Sequence, residues 1–495
     1  MKLNDIVKGI ACEIRVSPAM AAHGNAVGDL EIRDIQFDSR RVSAGTLFVA
    51  QAGTKVDGHD FIGRAVQAGA VAIVCQHMPK EAPDGVVYVE VADSSKALGE
   101  MAANFYGHPS RGLKLVGITG TNGKTTTVTL LHRLFRQLGH HAGLISTIVN
   151  KIDEEEVATT HTTPDALELN QLLRRMVDAG CDYCFMEVSS HAVVQQRIAG
   201  LEFAGGIFSN ITHDHLDFHK TMANYIAAKK GFFDSLPATA WALVNIDDRN
   251  GRVMVQNTKA KVCTYGLNQM SDFHCKVIEE SFDGMHLEVN GKDLWCRLVG
   301  RFNAYNLMAI YGAAVLSGAD ADEVARLLST LEPAPGRFQY VSGRGITAIV
   351  DYAHTPDALQ NVIETIDAIR RPGQQLITVV GCGGDRDKTK RPEMAQIACE
   401  GSDKLVLTSD NPRTEKPESI LDDMEAGLTP QQLSHTVRIT DRRQAIRTAC
   451  MMAHEGDIIL IAGKGHEKYQ EVNGVRSHFD DVEEAEKELR IKNQE

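Results

Sequence analysis

The chain has 495 residues, of which 43% are hydrophobic and 24% charged, and a formal net charge of −13. That is the make-up of a soluble globular protein, with length for about three domains at ~150 residues each. The negative balance gives no electrostatic support to nucleic-acid binding, and no apolar run is long enough to span a membrane.

The first residues, Met1 to Val7, lack a signal-peptide core, so the chain is expected in the cytoplasm. The ten cysteines follow no framework spacing and read as free thiols of a reducing compartment. Cys181 and Cys184 form a C-x-x-C pair, but no second pair stands at zinc-finger spacing. Cys184 reads as part of a buried strand.

Residues 1 to 108 are mixed. Strand-like runs occur at 34–37, 46–50, 70–75 and 86–91, and a helix pattern covers 94–105. The stretch 108–112, with Pro and Gly, reads as a linker. From Leu113 to about Leu331 strands and helices alternate, with strands at 113–118, 183–188, 206–210 and 242–245. Runs buried on both faces with helices between them predict a mostly parallel sheet. The patch 262–297 looks antiparallel, and the acidic run 153–156 reads as a solvated loop.

Glu332 to Gly336 forms a second linker, and residues 335–495 resume the alternation, with strands at 347–350, 376–380, 404–407 and 458–461. Each of these strands ends in a polar or Gly-rich loop: 351–354, 381–386, 409–413 and 463–467. Open α/β sheets bind ligands beyond the carboxyl ends of their strands, so the series points to a site. The fold class is α/β in three domains, 1–108, 109–334 and 335–495.

Gly117 to Thr127, between a strand and a helix, is the most informative stretch. Its glycines let the backbone turn sharply and aim N–H groups at one point. The helix that follows adds its free N-terminal N–H groups. Lys124 supplies charge, and Thr125 a hydroxyl of the kind that ligates Mg²⁺. The glycines stand at 117 and 120, whereas the common G-x-x-x-x-G-K-[ST] pattern needs one at 118, which is Ile.

Glu187, at the end of a neighbouring strand, is placed to hold Mg²⁺ beside such a loop. The stretch from Asn210 to His219 holds three His and two Asp. It could be a transition-metal site, or its histidines could be helix caps and core groups; His215 is the residue chosen for a metal contact.

Gly117–Thr127, Glu187-Val-Ser-Ser-His191, Asn210–His219 and Gly300-Arg-Phe-Asn303 with Asn306 together resemble the ATP-dependent Mur ligase family. Pro335-Gly-Arg337, Asp351–Pro356 and Gly383–Lys388 extend the likeness to the third domain. Asp38-Ser39-Arg40 and Gly53–Gly58 are similar to the UDP-binding part of the members that extend a UDP-linked dipeptide. The P-loop spacing is the family's own.

The resemblance implies a three-domain fold: a UDP-binding domain, a central P-loop ATPase domain and a Rossmann-like C-terminal domain. It implies transfer of the ATP γ-phosphate to the D-glutamate carboxylate of UDP-N-acetylmuramoyl-L-alanyl-D-glutamate. A diamino acid then displaces phosphate from the acyl phosphate, a step of cytoplasmic peptidoglycan precursor synthesis. A monomer is expected.

By the same resemblance Thr125 and Glu187 hold a first Mg²⁺, and His215 a second with Glu187. Lys124 neutralises charge. Lys229 matches the lysine carbamylated in the family; without the likeness, Lys229 and Lys230 read as a solvated helix face. Gly120, Thr121, Asn122, Gly123, Lys124, Thr125 and Thr126 cradle ATP, with Asn303 for adenine, Arg337 for phosphate and Asp351 for ribose. Ser39, Thr162, Thr163, Ser189, Gln195 and Arg197 meet the UDP-dipeptide.

Asp410-Asn411-Pro412-Arg413 goes, in this family, with diaminopimelate, taken as the meso isomer. Arg413 can grip the second carboxylate with a two-pronged bond. Asp410 and Glu467 suit the distal ammonium, and Arg386, Asn411 and Gly463 complete the pocket. Two readings compete. One is a lysine-adding or other member, or the related folylpolyglutamate synthetase, against which the first-domain motifs and Arg413 speak. The other is a nucleotide-binding regulatory module that has lost ligation, against which Lys124, Glu187, His215 and Lys229 speak.

Overall fold

The computed structural model describes residues 1–16, 27–53, 56–80, 82–159 and 161–490. Of the segment 53–58, Thr54 and Lys55 lie outside the described residues.

Among the described residues, three large sheets organise three domains. The first has five strands, with Ala70–Cys75 between Thr46–Val49 and Val87–Val91. Its helix Ser94–Phe105 starts at Asp93, whose carboxylate accepts from the N–H groups of Ser95 and Lys96. The strand Cys12–Val16 pairs antiparallel with Val87–Val91, an edge the periodicity did not reveal.

The second sheet has eleven strands, and its centre is parallel. Lys114–Thr119 lies between Tyr183–Glu187 and Gly205–Phe208. Every residue of the two flanking strands is buried, as expected of strands covered by helices on both faces. Fully burying a Val, Leu, Ile or Phe side chain contributes about 1.5–3 kcal/mol, so these runs anchor the site rather than move with it. Gly117 sits where a Cβ would lie 2.7 Å from the Phe232 ring, which lets the helix Met222–Asp234 press against the sheet.

The patch after residue 262 is an antiparallel meander, Phe273–Ser281, Gly284–Val289 and Lys292–Cys296, as expected. The acidic run 153–156 is a correction. It turns a hairpin between Asn150–Ile152 and Glu155–Val157, with Lys151 paired to Glu156 at 2.8 Å across the strands. Asp153 takes a left-handed φ of 57° at the turn. The linker 108–112 also has structure, a short 3₁₀ turn Pro109–Arg111.

The third sheet has six strands, with Ile458–Ala462 between Ile346–Asp351 and Leu376–Val380. A separate hairpin, Tyr469–Val472 with Val475–His478, folds beside it. The ten cysteines are unpaired, and Cys184 is buried in its strand. No helix among the described residues is long and apolar enough to cross a membrane.

Candidate active site

Lys114–Thr119 feeds the glycine loop, and the helix Lys124–Gln137 leaves it. Gly123 caps that helix with φ 88°, where a Cβ would overlap Asn306 Oδ1. Lys124 folds back over the loop and donates to the carbonyls of Gly120 (2.9 Å) and Thr121 (2.8 Å). Burial lowers its pKa, opposed by the charges of Glu187 and Asp214.

Glu187 is 1% exposed. Its carboxylate accepts from Thr125 Oγ1 (2.9 Å), the Thr147 N–H (2.8 Å) and Thr147 Oγ1 (3.2 Å). Thr147 was not singled out in the sequence; it lies on a turn after the strand Ala142–Ile145 and carries no motif. Arg337, from the third domain, donates to Thr125 Oγ1 at 3.2 Å and stacks on Tyr352. Asn122 donates to Asp357 at 2.7 Å, a second bond between the glycine loop and that domain.

His215 has φ 55° and sits 3.4 Å from the Asp214 carboxylate, its ring edge-on to His191. Burial pushes its pKa down to about 3 against the pull of Asp214, so the imidazole is neutral. Of the other two histidines of the 210–219 run, His213 points outward and His219 is a core group bonded to Ser190 Oγ at 2.9 Å. Among the described residues no three His, Cys, Asp or Glu are gathered as metal ligands.

Lys229 is also 1% exposed, which corrects the residue-by-residue reading of a solvated face; Lys230, only partly exposed, pairs with Asp234. Lys229 Nζ donates to the Gly120 carbonyl at 2.7 Å and lies over the Tyr225 ring. Burial, then the charge of Lys124, hold its pKa well below the ordinary lysine value.

Arg197 donates to the Thr163 carbonyl (2.6 Å) and twice to Gln195 Oε1 (3.0 and 2.6 Å). Thr163 in turn donates to the Glu187 carbonyl at 2.8 Å and accepts from the Ser189 N–H at 3.1 Å. Ser189 Oγ caps the helix Ser190–Val194.

In the third domain, Arg413 has φ 52° and donates through Nη1 to the Gly384 carbonyl at 2.7 Å. Asn411 donates to Glu467 (2.7 Å) and accepts from Lys464 (3.1 Å) and the Glu471 N–H (2.9 Å). Glu467, pushed upward by burial and by Asp410, is paired with the buried Lys464 at 3.1 Å. Lys464, Arg391 and Arg442, all 0% exposed in their side chains, were missed by sequence reasoning. A buried Arg or Lys carries no local signal that separates it from a surface cation.

One cavity of about 1930 Å³ joins these groups. On one side it meets Thr121, Asn122, Gly123, Lys124, Thr125 and Thr126. Glu187, His215, Lys229, Thr162, Ser189 and Arg197 also line it. Arg337 reaches the glycine-loop wall from the third domain, and Arg386, Asp410, Asn411, Arg413, Gly463 and Glu467 of that domain also line the cavity.

Several expected residues stand off the wall. Gly120 and Thr163 lie behind it, as does Gln195, and Ser39 is buried in the first domain. Asn303 donates to the Val299 carbonyl (2.7 Å) and accepts from Asn306, while Asp351 accepts from the Phe338 N–H (2.7 Å). Their side chains are occupied by these partners in this arrangement.

Three family sequence models match in order: "Mur ligase family, catalytic domain" over residues 31–106, "Mur ligase middle domain" over 118–314 and "Mur ligase, glutamate ligase domain" over 336–465. A curated protein of Phocaeicola vulgatus named UDP-N-acetylmuramoyl-L-alanyl-D-glutamate--2,6-diaminopimelate ligase is 54% identical over 484 residues, 98% of each chain. The chain belongs to the Mur ligase family. A Cytophaga hutchinsonii protein of the same name is 57% identical, covering 92% of this chain and 93% of its own.

Among solved structures, one of a ligase of that name matches with a TM-score of 0.68 and 32% identity, over 99% of this chain and 98% of the other. The MurF ligase of Thermotoga maritima in complex with ADP shares the fold, with a TM-score of 0.61, 20% identity and coverage of 93% and 99%. The Mur ligase fold thus accounts for the three α/β domains, and the chain is an ATP-dependent ligase.

Proposed function

We propose that this Mur ligase joins diaminopimelate to the D-glutamate of UDP-N-acetylmuramoyl-L-alanyl-D-glutamate, forming ADP and phosphate. Relatives bearing that name at 52–57% identity support the substrate pair. The observation that carries the reading is the cavity running from Lys124 and Glu187 to Arg413 and Glu467. It has a phosphate end and, at the far end, a guanidinium beside two carboxylates, the charge pattern of a diamino diacid.

A carboxylate is a poor acyl donor, so the γ-phosphoryl group is first moved onto it. The resulting acyl phosphate gives the amine a leaving group: the C–N bond forms as the C–O bond to phosphate breaks. The chemistry needs positioning and charge neutralisation more than covalent help from the protein. Lys124 and the helix N-terminus at Gly123 meet the phosphates. Arg337 reaches the same place from the third domain.

The hydroxyl of Thr125 and the carboxylate of Glu187, 2.9 Å apart, are hard oxygen donors that fit Mg²⁺. Mg²⁺ bound there supplies neutralisation of the transferring phosphoryl group. His215, kept neutral by burial, would offer a lone pair to a second ion, which it would hold together with Glu187. The suppressed pKa of Lys229 supports a free amine that adds to CO₂, forming an N–C bond, losing one proton and leaving an anionic carbamate.

Thr162, Ser189 and Arg197, backed by Thr163 and Gln195, orient the dipeptide, and Ser39 serves the UDP end. Arg413 grips the distal carboxylate of diaminopimelate, Asp410 and Glu467 its distal ammonium, and Arg386, Asn411 and Gly463 complete the pocket. Asn303 and Asp351 take adenine and ribose by exchanging their present partners. The domains divide at 108/109 and 334/335, one to each large sheet. The enzyme works as a cytoplasmic monomer.

Positional isotope exchange tests the acyl phosphate. With ATP labelled in the β–γ bridge and the UDP-dipeptide but no amine, scrambling is expected. Its absence with both substrates bound would count against the proposed intermediate.

A further inference from the structure

The helix Arg442–Met452 begins with a fully buried arginine. Arg442 makes a two-pronged ion pair with Asp481, itself 0% exposed, through Nε and Nη2 at 2.7 Å each. The guanidinium has donors to spare. Nη2 also donates to the Ala462 carbonyl at 3.0 Å, and Nη1 to the Ser409 carbonyl at 3.3 Å.

These two carbonyls stand at matched places. Ser409 lies just past the end of the strand Lys404–Leu407 and immediately precedes Asp410. Ala462 ends the strand Ile458–Ala462 and immediately precedes Gly463. The strand Leu376–Val380 lies between the two, so they are not neighbours in the sheet. One planar group therefore ties together, from beneath, the two loops that form the amine end of the cavity.

From this we infer that Arg442 is a positioning residue for the amine pocket: with Asp481 fixing its plane, it sets the separation of the Asp410–Arg413 and Gly463–Glu467 loops. The inference rests on the proposed role of that end of the cavity. A guanidinium spans two acceptors because its donors diverge in one plane, whereas a lysine ammonium on a flexible stem reaches a single point. The field of Arg442 also bears on Asp410 and Glu467, which lie close enough to raise its pKa. The cation behind the loops thus helps two carboxylates stand together.

The test compares Arg442→Lys with Ile446→Ala. Ile446 is a fully buried residue of the same helix whose apolar side chain can donate to neither carbonyl. Hydrogen exchange in the free, full-length enzyme is read first, because it needs no assumption about the substrate. Faster exchange confined to 409–413 and 463–467 is expected in Arg442→Lys and not in Ile446→Ala. The KM for whichever amine the wild type uses should then rise roughly ten- to a hundredfold in Arg442→Lys, since small misplacements cost that much, with the KM for ATP unchanged.

Equal exchange patterns in the two variants, or an unchanged amine KM, would overturn the inference. If Arg442→Lys does not fold, Asp481→Asn keeps the arginine but frees its plane, and the same two readouts apply. A wild type that uses an amine other than diaminopimelate would count against the proposed substrate alone, because the loop exchange would still decide the role of Arg442.

Discussion

Thr125 Oγ1 lies 2.9 Å from Glu187 Oε1, joining the first turn of the P-loop helix to the end of the neighbouring strand. The parallel register sets this distance. Glu187 pairs with Ile118, so the strand carrying the acid ends as the glycine loop begins. Thr147 holds the carboxylate from the other side, and Arg337 reaches the Thr125 hydroxyl from the third domain.

Glu187→Gln keeps the shape of this arrangement and removes its charge. Phosphate release should fall by roughly a hundredfold or more, the scale seen when one group stabilising transition-state charge is lost. The Mg²⁺ concentration for half-maximal rate should rise with it, and a chelator should abolish the wild-type rate. A Mg²⁺ titration that superimposes on the wild type would rule out the metal role.

Arg413→Ala should act on the amine alone. Loss of a charge-assisted bond costs about 1.5–3 kcal/mol, so the KM for diaminopimelate should rise roughly tenfold to over a hundredfold. Isotope scrambling in ATP without amine should persist. Equal damage to scrambling would place Arg413 in the phosphoryl step instead.

Lys229→Ala removes a buried amine beside the Gly120 carbonyl. If its carbamate supplies negative charge, a small carboxylate such as acetate or formate should restore part of the lost activity. With the fold intact by circular dichroism, no restoration across a wide concentration range would speak against carbamylation.

Acidification should destabilise the third domain through its histidines. Burial holds His466 down to about 3 and His354 down to about 4. Below the ordinary histidine value near 6.5 the unfolded chain takes up protons that the folded chain refuses. Stability is therefore complete above that value and is lost as pH falls toward 3, at up to about 1.4 kcal/mol per pH unit for each proton. The melting temperature of His466→Gln should fall less between pH 6.5 and 4 than that of the wild type. Parallel curves would contradict the assignment.

Much of this was legible in the sequence, where local rules decide the structure. The strand–glycine loop–helix from Lys114 to Gln137 is such a case, and Glu187 at its strand end is another. The rest depends on tertiary partners. The hairpin at 150–157 has strands of three residues, too short for alternation to rise above its acidic composition. Nothing local in the sequence separates Arg442 and Lys464 from surface cations; their burial against Asp481 and Glu467 does. Asn303 and Asp351 sit in motifs of the family, yet their side chains turn to Val299 and Phe338. A motif fixes where a residue stands in the chain, and the arrangement of the domains fixes what it faces.

The most direct test of the central claim follows product formation from ATP and the UDP-linked dipeptide with meso-diaminopimelate, LL-diaminopimelate or L-lysine as the amine. The account predicts tripeptide and stoichiometric phosphate with a diaminopimelate isomer and little with lysine, which leaves Arg413 without its carboxylate. Equal turnover of lysine would contradict the pocket, and no turnover with any of the three would contradict the proposed ligation.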